Sequence, residues 1–436
     1  MEQVYTEQFT PVAWANNTNI YEVNLRQYTP EGSFNAFIKE LPRLRAMGIE
    51  TLWFMPVTPI SLKKRQGSLG SYYACSSYIK TNPEYGSIED FKNLVTAAHD
   101  LGFKVLIDWV ANHTGWDHEW TIEHPDFYRR NLDGHFYDSH GWDDVIDLNY
   151  DNQELWSTMM NCMQFWVEEC DIDGFRCDMA MLVPLDFWKS VRRKLDSIKK
   201  LFWLAECEEI HYHEAFDATY TWKWLHRMEA YYRREIGIEG LQEVLNYYNE
   251  MFPPTSLRVF FTSNHDENSH SGSEYERLGD AAEAFAVLCC TWNAIPLIYS
   301  GQELPNKKRL KFFDRDPIDW NGQYALHDFY KKLLELRKNN PALDAGNPHV
   351  RTHRLHTDAG HFIFAFLRHN QQTGHEVLVI INLSQEKKAL VHVTGETLTG
   401  AYTSLFSNAV KDFTEESSIA LDPWEYQVYI RNGIAR

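Results

Sequence analysis

Eight short apolar runs, each ending in polar or charged residues, recur along most of the chain and alternate with amphipathic stretches. They are "NIYEVNLRQY" (19–28), "IETLWFMPV" (49–57), "FKVLIDWVANH" (103–113), "IDGFRCD" (172–178), "LFWLAE" (201–206), "AFDATY" (215–220), "LRVFFTSNHD" (257–266) and "IPLIYSG" (295–301). Continuous apolar strands separated by helices pair in parallel and are covered on both faces. Eight repeats of that unit predict an α/β fold, a (β/α)8 barrel. "SFNAFIKELPRLRAMG" reads as a helix introduced by Ser33 and stopped by Gly48, and "SIEDFKNLVTAAHDLG" as one begun by Ser87 and stopped by Gly102.

Two departures from the repeat are visible. A long segment rich in Trp, His, Asp and Gly parts strands three and four, and only its end, "DNQELWSTMMNCMQFWVEEC", has a helical pattern. Residues 114–150 are therefore expected to form a short excursion over the barrel mouth. Strands five and six lie too close for a full covering helix. From about residue 346 the pattern turns to β-branched and alternating segments such as "GHFIFAFLRHN" and "EVLVIINLS". The expected division is a catalytic barrel at 1–345, including the excursion at 114–150, and an antiparallel β-sandwich at 346–436.

Composition excludes several classes of partner. The net charge is −19, from 61 acidic against 42 basic residues, which disfavours nucleic acid and anionic membranes, since both need clustered Lys and Arg. No apolar run is long enough to span a bilayer. Seven cysteines, an odd number without CxxC spacing, read as free thiols in a reducing compartment. The start "MEQVYTEQFTPVAW" lacks the basic-then-apolar order of a secretory signal. A cytoplasmic protein is expected, although a processed secreted form would read the same way. No phosphate loop, zinc signature or dinucleotide fingerprint is present.

In such a barrel, chemistry sits at the carboxyl ends of the strands. Those ends carry Asp108, Asn112 and His113 (strand three), Arg176 and Asp178 (strand four), Glu206 (strand five), and Asn264, His265 and Asp266 (strand seven). Like charges crowded together repel and raise each other's pKa, so a purely structural barrel has no use for this set. Residues two apart on a strand share a face. Arg176 therefore lies against Asp178, with Cys177 turned away, and favours its ionised form. Glu206 closes the apolar run "LFWLA", where desolvation favours the protonated acid, unlike the neighbouring Glu208 and Glu209. One carboxylate kept charged and another kept neutral, about 5 Å apart, is the division of labour in a retaining glycosidase.

"DWVANH", "GFRCD", "LAECE" and "FTSNHD" resemble the four ordered sequence regions of the α-amylase family, glycoside hydrolase family 13. "VIDLNY", "LGSYYACSSYIKTNPEYGS", "LIYSGQE" and "FFDRDPIDW" resemble further segments of it, in order. The resemblance implies a TIM barrel acting on starch- or glycogen-type α-1,4-glucans or maltooligosaccharides. It implies Asp178 as nucleophile, Glu206 as general acid and base, and Asp266 as transition-state stabiliser. It also implies that Tyr73 stacks on the sugar while His113, Arg176 and His265 bond its hydroxyls, with Asp108, Asn112 and Asn264 holding the surroundings. No cofactor is required. Calcium is admitted, because Asn112 matches a residue that can ligate it, but the excursion has no acidic calcium loop, so no metal ligands are assigned. Two places depart from the family pattern: Ser77 stands before Tyr78 where Asp is common, and Met181-Leu182 replaces a Lys-His pair.

The bland alternatives are an ordinary strand-end ion pair for Arg176 and Asp178, and buried structural histidines for His113 and His265. For Trp116, Trp120, Phe136 and Trp142 the default is packing within the excursion. An α-glucan transglycosylase or an α-glucosidase would share the same acids, whereas a non-catalytic carbohydrate-binding relative would have lost one. Endo or exo action, chain-length preference and oligomeric state stay open at this level.

Overall fold

A computed structural model describes residues 9–394, 398–414 and 418–433. Eight parallel strands close a barrel in chain order. They are β1 (Ile20–Val23), β2 (Thr51–Phe54), β3 (Lys104–Trp109), β4 (Gly174–Cys177), β5 (Phe202–Ala205), β6 (Ala218–Tyr220), β7 (Leu257–Phe260) and β8 (Ile295–Tyr299). β1 meets β8 with Ile20 opposite Leu297, which seals the cylinder. Every residue of β1, β2, β4, β5 and β7 is buried, as expected for strands with helices outside and packed side chains within.

Register decides which side chains meet inside. Asp108 of β3 lies opposite Arg176 of β4, so both point to the same side. Two residues earlier, Gly174 faces inward where a Cβ would sit 2.1 Å from Phe202 O and 2.9 Å from Leu106 Cδ2. Only glycine leaves room there.

The expected helix at 33–48 is broken into Phe34–Phe37, a 3-10 turn at Ile38–Glu40 and Leu41–Ala46. Pro42 lacks an N–H to donate, so it fits the first turn of a new helix and not the middle of a long one. The helix Ile88–Asp100 carries a full capping box between Ser87 and Asp90. Strand one also proves shorter than its apolar run, because Leu25–Tyr28 coils into a helical turn. Between β5 and β6 only a 3-10 turn, Ile210–Glu214, covers the sheet.

The excursion is a small unit in which His113–Gly115 pairs antiparallel with Val145–Asp147. It leads into the helix Gln153–Cys170, capped by Asn152. Trp120 is buried against Tyr78 and Phe127, and Phe136 packs on Tyr128.

The C-terminal strands, from Val350–Thr357 to Tyr426–Arg431, were expected as a sandwich. They bond instead into one continuous eight-stranded antiparallel sheet. Alternation explains the difference. Along Ile363–Asn370, Phe364 and Phe366 turn to the barrel while Ile363 and Ala365 turn to a second core with Leu378, Ile380 and Leu421. One sheet thus curls over its own core and lays its other face on the barrel. The described cysteines are all free thiols, and no described helix is long and apolar enough to cross a membrane.

Trp292, just before β8, joins the two parts through ring contacts at 4.8 Å to Phe366 and 6.0 Å to Phe364. Phe366→Ala is expected to lower stability by about 3–5 kcal/mol, read as an earlier midpoint in urea unfolding.

Candidate active site

Arg176 is wholly buried at the mouth of the barrel, and charged or polar groups surround its guanidinium. Nη1 donates to Asp108 Oδ1 at 2.8 Å and to Asp178 Oδ1 at 2.9 Å. Nη2 makes an ion pair with Glu206 Oε2 at 2.8 Å, and Nε donates to the Tyr220 hydroxyl at 3.2 Å. Trp53 and Tyr220 offer ring faces 4.9 and 5.5 Å away. Four strand ends, β3 to β6, are therefore gathered on one cation.

The backbone also holds Glu206. Its Oε2 accepts the Met179 backbone N–H at 2.9 Å. That amide is aimed inward because Met179 adopts a left-handed conformation, φ 40°, a strained geometry for a residue with a side chain. With Oε2 facing the Met179 amide and the Arg176 cation, a proton on Glu206 belongs on Oε1. Likewise Arg176 occupies Asp178 Oδ1 and leaves Oδ2 for attack.

A second line of contacts runs around the mouth. Glu22, buried in β1, accepts from His265 Nδ1 at 2.5 Å. His265 Nε2 lies 2.6 Å from the Tyr73 hydroxyl, which donates to Asp108 Oδ2 at 3.1 Å. Trp53 Nε1 also donates to Asp108 Oδ2, at 3.2 Å. Asp266, with 38% of its side chain exposed, lies 3.4 Å from His265 Nε2. His113 Nδ1 accepts from Asn112 Nδ2 at 3.2 Å, so its other nitrogen carries the proton. Asn264 is buried and accepts the Glu267 N–H at 2.8 Å, shaping the turn after β7.

A cavity of about 360 Å³ opens over these groups. Of the residues singled out from the sequence, Tyr73, His113, Asp178, Glu206, Asp266 and Trp142 line it. Arg176, Asp108, His265, Asn112 and Asn264 lie behind that lining. Tyr72, the neighbour of Tyr73, points away and bonds Asn24 Oδ1 at 3.1 Å. Ser77, where the family often has Asp, bonds Glu119 at 2.8 Å away from the cavity. Trp116 is tied to Asp143 O at 3.0 Å.

Several lining residues escaped the sequence reading: Phe312, Phe313, His270, Gln66 and Asp144. Phe312 and Phe313 stand in "FFDRDPIDW", a segment quoted above for its resemblance alone. Glu22 escaped as well, because it sits inside an apolar strand and its partner lies 243 residues away. Among the described residues no group of three or more His, Cys, Asp and Glu is placed to hold a metal ion, and the Asn112 amide faces His113.

Burial and charge divide the acids. Burial pushes Glu206 up to about 8; Arg176 pulls it down, while Asp178 and Asp266 push it further up. Asp178 was expected to be held low by Arg176. Burial outweighs that pull and raises it to about 6, with Asp108 and Asp266 adding to the rise, because the guanidinium is shared with Asp108 and Glu206. The order survives: near neutrality Asp178 is the anion and Glu206 keeps its proton. Burial lowers His113 to about 4, so it is a neutral imidazole. Burial also disfavours charge on His265, but Asp266 and Glu22 overcome it and raise His265 to about 9.

The model of the α-amylase catalytic domain matches residues 3–137 and 130–321. The chain belongs to the α-amylase family. It is 27% identical over 398 residues to the α-amylase MalA of Haloarcula japonica, a match covering 86% of this chain and 56% of MalA. The chain thus spans little more than half of that relative. Among solved structures it is similar to the noncanonic maltogenic α-amylase AmyB of Thermotoga neapolitana, with a TM-score of 0.87 and 28% identity, covering 96% of this chain and 99% of AmyB. An α-amylase of Lactobacillus plantarum has a TM-score of 0.85 and 28% identity, covering 95% of this chain and 99% of that one.

A bell-shaped dependence of kcat/KM on pH is expected. Activity rises as Asp178 loses its proton around pH 6 and falls as Glu206 loses its own around pH 8. Glu206→Gln should remove the alkaline limb and lower kcat by about 10²–10⁴-fold, checked by steady-state rates from pH 4 to 10.

Proposed function

We propose that this member of the α-amylase family is a retaining hydrolase of α-1,4-glucosidic bonds in starch- or glycogen-type glucans and maltooligosaccharides. The observation that carries this reading is the single buried guanidinium shared by Asp178 and Glu206. Two carboxylates on one fork stand side by side, in keeping with the short separation, about 5 Å, that direct attack requires. An inverting enzyme needs a wider gap with room for water.

Asp178 Oδ2 attacks the anomeric carbon while Glu206 Oε1 delivers its proton to the glycosidic oxygen. The bond to the leaving chain breaks and an ester forms on Asp178. Glu206, now an anion, takes a proton from water as that water attacks the same carbon. The ester breaks, Asp178 is freed, and two inversions leave the α-configuration. Positive charge building on the sugar ring is met by Asp266, exposed to the same cavity. Neutral His113 supplies a donor for the ring hydroxyls, while charged His265, bonded to Glu22 and set against the Tyr73 hydroxyl, holds Tyr73 in place behind the cavity. Tyr73, anchored through its hydroxyl to Asp108, presents a ring face to the sugar. A transglycosylase would follow the same path to the ester and differ only in which nucleophile, water or sugar, resolves it.

Asp178→Asn keeps the shape but removes the attacking oxyanion, and should lower kcat on maltoheptaose by at least about 10⁴-fold. Proton NMR of the wild-type reaction should show the α-anomer first. A β-anomer first, or an active Asp178→Asn variant, would sink the assignment. Products longer than the substrate would mark transfer over hydrolysis.

A further inference from the structure

We propose that the loops after β2 and β8 are joined into a wall that shuts the glycone end of the cleft, so that the enzyme removes short maltooligosaccharides from non-reducing chain ends. This inference rests on the retaining-glucanase reading and adds its mode of attack. In a closed barrel with eight strands in chain order, β5 and β1 face each other across the mouth. Glu206 ends β5 and hands its proton to the leaving-group oxygen, and the proposal places the leaving chain over β5. The glycone, the part that becomes bound to Asp178, therefore extends the other way, over β1.

On that side the rim is closed. Ser68 donates from its backbone N at 2.8 Å and its Oγ at 2.6 Å to Asp314 Oδ1. Leu69 N donates to Phe313 O at 3.0 Å. Gly67, at φ +60°, lies so near that a Cβ would stand 2.6 Å from that of Phe313. Beneath the joined tips lies Arg26, wholly buried just past β1. Its Nη1 donates to Gly70 O at 3.0 Å and Phe312 O at 3.2 Å, one carbonyl from each loop.

The wall borders the catalytic space directly. Phe312 and Phe313 line the cavity, and the Phe312 ring stacks parallel to Tyr73 with centroids 6.3 Å apart. Bonds at the tips and a buried cation at the base leave the glycone a dead end. An internal stretch of a long glucan would have to continue through this wall to place a bond between Asp178 and Glu206. A free non-reducing end needs no such passage.

The test uses maltoheptaose labelled at its reducing end, together with soluble starch. For the wild type, unlabelled glucose, maltose or maltotriose and the matching labelled remainders should accumulate first, and starch viscosity should fall slowly for the reducing ends released. The double variant Ser68→Ala/Asp314→Ala removes the side-chain bonds between the tips, loosening the wall while the Leu69 N–Phe313 O bond and the Arg26 clamp remain. It should release several-fold more unlabelled product longer than maltotriose, with kcat/KM for maltotriose essentially unchanged. Asp314→Asn keeps the accepting oxygen and should retain the wild-type pattern, which separates an opened wall from a damaged fold. A broad set of labelled fragments from the wild type at early times would overturn the proposal, as would a double variant with unaltered product lengths. Failure of the wild type to cleave any α-glucan would remove the glucanase reading itself, and this inference with it.

Discussion

A guanidinium with no exposure to water must find its compensation inside the protein. Arg176 finds it in three carboxylates and a phenol on four strands. Desolvating a charge is costly, and partners with good geometry are what make it tolerable. The converse holds for the acids. Three buried carboxylates without a cation would repel one another and take up protons. Each side of the cluster is thus a condition for burying the other, and register across β3 and β4 brings Asp108 and Arg176 together before any loop contributes.

Sharing one cation has a chemical consequence. A private partner would hold a buried Asp low and make it a stable, weakly basic anion. Divided among three acids, Arg176 leaves Asp178 near 6 and Glu206 near 8. Burial raises both, and Arg176 pulls both down: Asp178 through its charge and an aligned hydrogen bond, Glu206 through its charge alone, with the Met179 amide adding to the pull. The split falls on either side of neutrality, which is where nucleophile and acid need opposite charge states.

The barrel and its acids were legible in the sequence because both follow short-range rules. A strand buried on both faces has to be apolar, and it has to surrender that character where it meets the mouth, so Asp108, Asp178, Glu206 and Asp266 mark strand ends in plain view. What stayed hidden depends on distant segments. Glu22 looks like one polar residue inside an apolar strand until His265 lands on it. The sandwich expected at the C-terminus became one curled sheet because alternation in "FIFAF" reveals two buried faces without saying that neighbouring strands wrap around to cover one of them. Asp178 was misjudged in degree for the same reason: the neighbour two residues away was visible, and the competitors for that neighbour were not.

The hairpin of the excursion begins at His113, so the residue that ends a barrel strand run is also the first rung of that hairpin, paired with Asp147. Val145, on its opposite strand, lines the cavity beside Trp142. Any change that shifts this hairpin carries His113 with it, so the wall of the cavity and the imidazole that faces its contents are one piece and not two independently adjustable parts.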